Sequence, residues 1–225
     1  MEHFDLTGSI DPDAIRLEAS SLCQLRCPLC PRTRGETQAT VGNGPLELEN
    51  FRGLIDANPG IRKIEFGNFG EVFLNPDLPR ILEYAFDHRV ETLIDEGANL
   101  NDATDEAQEA VVKYRTTQVR CALDAVTQET YEKYRIGGNL RRVIANIGKI
   151  NGFKASYGSS RPKLVFQFVI FNHNEHEMEH AELLARMLGM EVSFKLNFFP
   201  NALPVQNREG VPGGLAMRTG KSFSR

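Results

Sequence analysis

Short apolar runs of strand length alternate with stretches of helical periodicity along most of this chain, and that alternation limits the folds open to it. Strands are expected at 14–20, 62–66, 90–95, 118–124, 163–171 and 191–198. Helices are expected between them at 45–58, 79–88, 104–114, 127–134, 139–151 and 175–188. The helix at 45–58 places Leu48, Phe51, Leu54 and Ile55 along one face, and Pro59-Gly60 ends it. The run 163–171 is apolar almost throughout, as a strand buried on both faces requires. Residues 152–162, rich in Gly and Ser, are expected to form a surface loop. Strands that alternate with helices lie parallel and connect by right-handed crossovers. Such a chain makes either a doubly wound sheet or a barrel, and the pattern alone leaves both open.

Directly after the first strand comes Cys23-Gln24-Leu25-Arg26-Cys27-Pro28-Leu29-Cys30. Three of the chain's four cysteines fall there in a CxxxCxxC spacing. A loop of three thiolates can hold three irons of a [4Fe-4S] cluster and leave the fourth iron open to an outside ligand. Two other readings exist. A structural zinc site would want a fourth ligand at finger-like spacing, and no second CxxC or nearby histidine supplies one. Disulfides suit secreted chains, whereas the start Met1-Glu2-His3-Phe4-Asp5 has no signal-peptide pattern. The expected location is therefore cytoplasmic. The fourth cysteine, Cys121, reads as a small buried apolar residue.

Composition narrows the partners. A net charge of −4 argues against general nucleic-acid or anionic-membrane binding. No apolar run approaches the roughly 18 residues of a membrane span.

The cysteine spacing resembles the signature of the radical S-adenosylmethionine (SAM) enzymes, and later segments resemble that family's strand-end motifs in the same order. After the second strand, Gly67-Asn68-Phe69-Gly70-Glu71-Val72 resembles the GGEP segment. Gly70 and Glu71 match its last glycine and its acid, while Phe69 and Val72 depart from it. The resemblance implies that Gly70 lets backbone approach SAM and that Glu71 holds the methionyl amino group by a charge-assisted hydrogen bond. After the third strand, Asp95-Glu96-Gly97 stands where the family has a TNG turn. The fourth strand resembles one ending in Ser-x-Asp, with Ala122 in place of the serine and Asp124 directed at the cavity. The segment Tyr131-Glu132-Lys133-Tyr134-Arg135-Ile136-Gly137-Gly138 resembles the family's YxxxR-GG stretch. Arg135 is thereby implied as a ligand of the SAM carboxylate, which a planar guanidinium suits. At the family's aromatic position before the third cysteine stands Leu29.

The end of the fifth strand, Phe171-Asn172-His173-Asn174-Glu175, resembles an N-x-x-E stretch, and Asn174 is also a good helix N-cap. His173, His176 and His180 share one helical face, as metal ligands or as part of a solvated helix start. Glu18, Gln167 and Lys195 are expected to project into the cavity.

The resemblance chooses between the two topologies. It implies an α/β fold, a partial (β/α)6 TIM-like barrel of parallel strands over residues 1–199, with function at the strands' C-terminal ends. It also implies the cofactors, a [4Fe-4S] cluster on Cys23, Cys27 and Cys30 and S-adenosyl-L-methionine on Gly70, Glu71, Asp124 and Arg135. The implied activity is reductive cleavage of SAM to a 5′-deoxyadenosyl radical that takes hydrogen from a substrate, with a peptide or protein favoured. A flavodoxin or ferredoxin is the implied electron donor. The alternative class is a non-catalytic zinc or iron–sulfur module, or a redox sensor. Residues 200–225 are expected to form an irregular tail. The overall motif style resembles enzymes with a SPASM or twitch extension, yet no cysteine follows Cys121, so an auxiliary cluster is not expected in this chain.

Overall fold

A computed structural model describes residues 12–197 and 203–205. Six strands form one sheet: β1 Ala14–Leu17, β2 Lys63–Phe66, β3 Glu91–Ala98, β4 Gln118–Ala122, β5 Lys163–Ile170 and β6 Glu191–Leu196. All neighbours are parallel, and spatial order equals chain order. Among the described residues β1 and β6 do not pair, so the sheet is an open partial barrel.

Right-handed crossovers that always step the same way put every helix on the same side of the sheet. The helices are α1 Gln38–Val41, α2 Leu48–Ala57, α3 Leu78–Asp87, α4 Asp105–Lys113, α5 Gln128–Tyr134, α6 Leu140–Ser156 and α7 Met178–Met187. Successive residues of a strand face opposite ways. Ile64, Phe66, Ile94, Val119, Cys121, Phe166 and Phe168 therefore join Phe51, Ile81, Val111 and Ile147 of the helices in one core. The other face carries Arg16, Glu65, Asp95, Gln118, Arg120, Gln167 and Lys195. This inner face is polar because no helix covers it.

Local chemistry accounts for the element ends. In α4 the Thr104 hydroxyl accepts from Ala107 N at 3.2 Å, acids occupy the first turn and Lys113 the last. In α6 the Asn139 side chain accepts from Arg142 N at 2.9 Å.

Several boundaries differ from expectation. β1 stops at Leu17, because Ser20 bridges to Pro45 and turns the chain into the cysteine loop. β3 continues to Ala98 through an irregularity between Ile94 and Ala98. Helix α6 runs to Ser156, through residues expected to be loop. Its buried stripe of Leu140, Val143, Ile147 and Ile150 offsets the roughly 1 kcal/mol that a helical glycine such as Gly152 costs. Residues 38–41 make a turn of helix between the cysteine loop and α2. The last helix opens with a 3₁₀ turn, Glu175–Glu177. Phe198 and nearly all of the expected tail lie outside the described residues.

Candidate functional site

The cysteine loop crosses the C-terminal end of the sheet and is fastened on three sides. Glu71 N donates to Leu22 O at 2.7 Å, Arg26 N to Ile136 O at 3.0 Å, and Arg32 Nε to Ser21 O at 2.5 Å. A Cβ on Gly70 would sit 1.8 Å from Ser20 O, so only glycine lets the β2 loop pass beneath the start of the cysteine loop. All four cysteines are free thiols, Cys27 and Cys121 buried and Cys23 and Cys30 partly exposed. Cys121 lies in the core as expected, where burial holds its thiol far up.

Two donors address the loop's sulfurs. Arg135 Nη1 lies 3.7 Å from Cys27 Sγ, and Asn99 Nδ2 lies 3.7 Å from Cys23 Sγ. Burial pushes the Cys23 thiol up to about 11 and raises that of Cys27, where Arg135 works in the opposite direction. These thiols ionise readily only with a strong positive partner, which bound iron provides. The donor set fits an iron–sulfur cluster with three protein ligands: free thiols, with hydrogen-bond donors rather than carboxylates at two of the sulfurs. Among the described residues no group of three His, Cys, Asp or Glu side chains is arranged to hold a metal ion.

Asp124 and Arg135, at either end of the segment that carries α5, meet beside this loop. Arg135 Nε donates to Asp124 Oδ2 at 2.8 Å and Nη2 reaches the same oxygen. Asp124 Oδ1 accepts from Val169 N at 2.6 Å. The Asp124 side chain is 2% exposed and that of Arg135 13%. Asp124 lies just past β4 with φ +58°, a left-handed conformation that aspartate tolerates better than most residues. Burial pulls the Arg135 pKa down, but the Asp124 carboxylate, with Cys27, Tyr134 and Tyr131, raises it well above its ordinary value. Thus the carboxylate that engages Arg135 here is internal.

Glu71 is placed differently from the motif's implication. Its carboxylate is buried and accepts from Asn99 N at 2.6 Å and Phe73 N at 3.3 Å. It ties the β2 loop to the end of β3. Burial raises its carboxyl to about 7 against those hydrogen bonds. The acid that holds the Gly-rich turn is Glu18, whose oxygens accept from Phe69 N at 2.9 Å and Gly70 N at 3.0 Å. Glu18, expected to project into the cavity, thus anchors backbone.

Two asparagines matter more than their sequence setting suggested. Asn99 Oδ1 also accepts from Gln24 Nε2 at 3.1 Å and from Asn101 N at 3.0 Å. The signal for it was its position just after Gly97, at the end of β3. Asn174, expected as an N-cap, makes no cap bond. Its amide instead donates to Asp124 O and Val169 O, each at 2.8 Å, and its Oδ1 accepts from Phe171 N at 2.7 Å. The ring of His173 stacks on Phe171 at 5.4 Å, which itself packs on Tyr134 at 4.4 Å. The three histidines are not drawn into a metal site.

No protein-family model matches the chain. It is 28% identical over 141 residues, 60% of its length, to a probable GTP 3′,8-cyclase of Methanococcus maripaludis, of which it covers 44%. Among solved structures it resembles SuiB of Streptococcus suis bound to S-adenosylmethionine, with a TM-score of 0.63 over 87% of this chain and 43% of that one, at 13% identity. Methylornithine synthase PylB gives a TM-score of 0.57 at 12% identity, over 86% of this chain and 54% of that one. The chain spans about half or less of each of these proteins. The fold expected from the sequence is present, and the radical SAM resemblance read from the motifs is borne out.

Proposed function

We propose that this chain is the core of a radical SAM enzyme. It would hold a [4Fe-4S] cluster on Cys23, Cys27 and Cys30 and cleave S-adenosyl-L-methionine reductively for hydrogen abstraction. The single observation that carries the reading is the cysteine loop itself. It lies across the C-terminal ends of a partial parallel barrel, with Arg135 and Asn99 donating to two of its sulfurs. Bound there, the cluster would supply the electron for reductive cleavage of the carbon–sulfur bond of SAM.

The protein's own part is placement. Gly70 lets two loops pass at backbone distance, and Glu18 and Glu71 hold those loops by their amides. Asp124 orients Arg135 so that one guanidinium edge faces Cys27, and Arg135 would bind the SAM carboxylate from there. A flavodoxin or ferredoxin is the fitting donor of the electron. A peptide or protein substrate is the finer part of the proposal, supported by the likeness in fold to SuiB, which has been solved with its precursor peptide bound.

Anaerobic reconstitution with iron and sulfide tests the reading. Expected are a broad absorbance near about 400 nm from thiolate-ligated iron and 5′-deoxyadenosine on adding dithionite and SAM, both lost in Cys23→Ala. Stoichiometric zinc without SAM cleavage would instead identify a metal-binding module, and reversible cluster reduction without cleavage a redox sensor.

A further inference from the structure

The inner face of the sheet holds polar groups that the cluster loop does not use. Register places Arg120 of β4 beside Val165, Ala122 beside Gln167, and Val169 of β5 beside Lys195 of β6. Paired residues of a parallel sheet share a face, and so do residues two apart. Arg120, Gln167 and Lys195 therefore rise along one face toward Asp124 and the cysteine loop.

Each of the three has unused bonding capacity. Arg120 Nε is taken by Asp95, at 2.7 Å to Oδ1 and 2.9 Å to its carbonyl, while its buried Nη1 has no partner. Gln167 is 5% exposed, and its Oε1 has no partner. It fits there because Gly97 leaves room: a Cβ at Gly97 would lie 3.0 Å from Gln167 Nε2. Lys195 makes no hydrogen bond or ion pair with any described residue, although burial lowers its pKa and Arg120, Glu96 and Asp95 are near enough to act on it. Buried polar groups left unpaired destabilise a fold, so Arg120 Nη1 and Gln167 Oε1 beside Lys195 on an open face point to a ligand that satisfies them.

We propose that Arg120 and Lys195 bind a carboxylate of the substrate, with Gln167 Oε1 accepting a hydrogen bond from a neighbouring N–H of the same molecule. The local charge favours a singly charged anion over a doubly charged one. Arg120 and Lys195 are two cations, and Asp95 already offsets one of them. The nearby acids Glu65 and Glu96 share the single charge of Arg16, at 3.1 and 3.0 Å, so one carboxylate there is left to offset the second cation. Three cations facing three carboxylates leave this face without net charge, so a monoanionic carboxylate on the free donors of Arg120 and Lys195 unbalances it less than a dianionic phosphate would. A carboxylate next to an N–H is the chemistry of an acidic residue or a free C-terminus in a peptide.

This inference rests on the radical SAM reading, because it takes the inner face to be where substrate meets the radical. Its test needs neither cluster nor turnover, so the two fail separately. In protein labelled with ¹³Cε-lysine, the Lys195 resonance is assigned by its loss in Lys195→Met. Titration with N-acetylglycine should shift it saturably, and N-acetylglycinamide should not. Arg120→Lys, which keeps the charge but removes the fork, should weaken the response about tenfold. Gln167→Leu tests the face without touching either cation and should also weaken it. Equal responses to acid and amide, tighter binding of glycerol phosphate, or no saturable shift with either compound would overturn the proposal. Loss of SAM cleavage alone would leave it standing and count against the enzyme reading.

Discussion

Asp124 shows what one side chain does for this site. Its carboxylate accepts from Arg135 and from Val169 N, and its carbonyl accepts from Asn174. Replacing one partner of a buried pair strands the other as an unpaired buried charge, at a cost of about 3–5 kcal/mol. Asp124→Ala should therefore lower unfolding free energy by about that much, and Asp124→Ala/Arg135→Ala by clearly less than the sum of the two single changes. A double-mutant cycle in urea checks both, and additive losses would show that the pair is not coupled. Gly70 poses a steric limit instead. A methyl group 1.8 Å from Ser20 O must displace backbone, so Gly70→Ala should cost at least about 1–3 kcal/mol and loosen the cysteine loop. Thermal unfolding and the iron content after reconstitution read the two effects separately.

At the scale of elements, the site is assembled from strand ends joined by side chains. Asn174 ties the β4 and β5 ends through three hydrogen bonds within a fully buried setting. Asn174→Ala leaves Phe171 N, Asp124 O and Val169 O without those partners, and should cost about 3 kcal/mol or more at roughly 1 kcal/mol or more per stranded group. Amide hydrogen exchange should then quicken at Val169 and Phe171, while the amides of β1 and β2 stay protected. Equal loss across the sheet would mean that Asn174 supports the whole fold. Of these elements the sequence disclosed the strands and most helix spans well, because each carries its own apolar period. The role of Asn174 was hidden, since an asparagine before a helix looks the same whether it caps the helix or braces two strands.

For the whole molecule, the buried Glu71 couples stability to pH. Its carboxyl is raised by burial from an ordinary 4.5 to about 7. An acid whose folded pKa is raised contributes its stability below the unfolded value and loses it as pH climbs through the folded one. Stability of the native protein relative to Glu71→Gln should thus fall by about 3 kcal/mol between about pH 4.5 and 7, at about 1.4 kcal/mol per unit, and then level off. Urea titrations of both proteins across that window measure it, and a flat difference would show that Glu71 stays ionised in the folded chain.

The alternation of strand and helix and the cysteine spacing are local properties, so the amino-acid order alone determined the alternating α/β class, the three-cysteine loop after the first strand and the order of the motifs around it. The partners of the polar side chains are not local. Whether Glu71 or Glu18 faces the Gly-rich turn, and that Arg135 closes on Asp124, depend on which strand ends the sheet brings within 3 Å. Only tertiary packing sets that, because a side chain of either acid can satisfy any amide that the fold places within its reach.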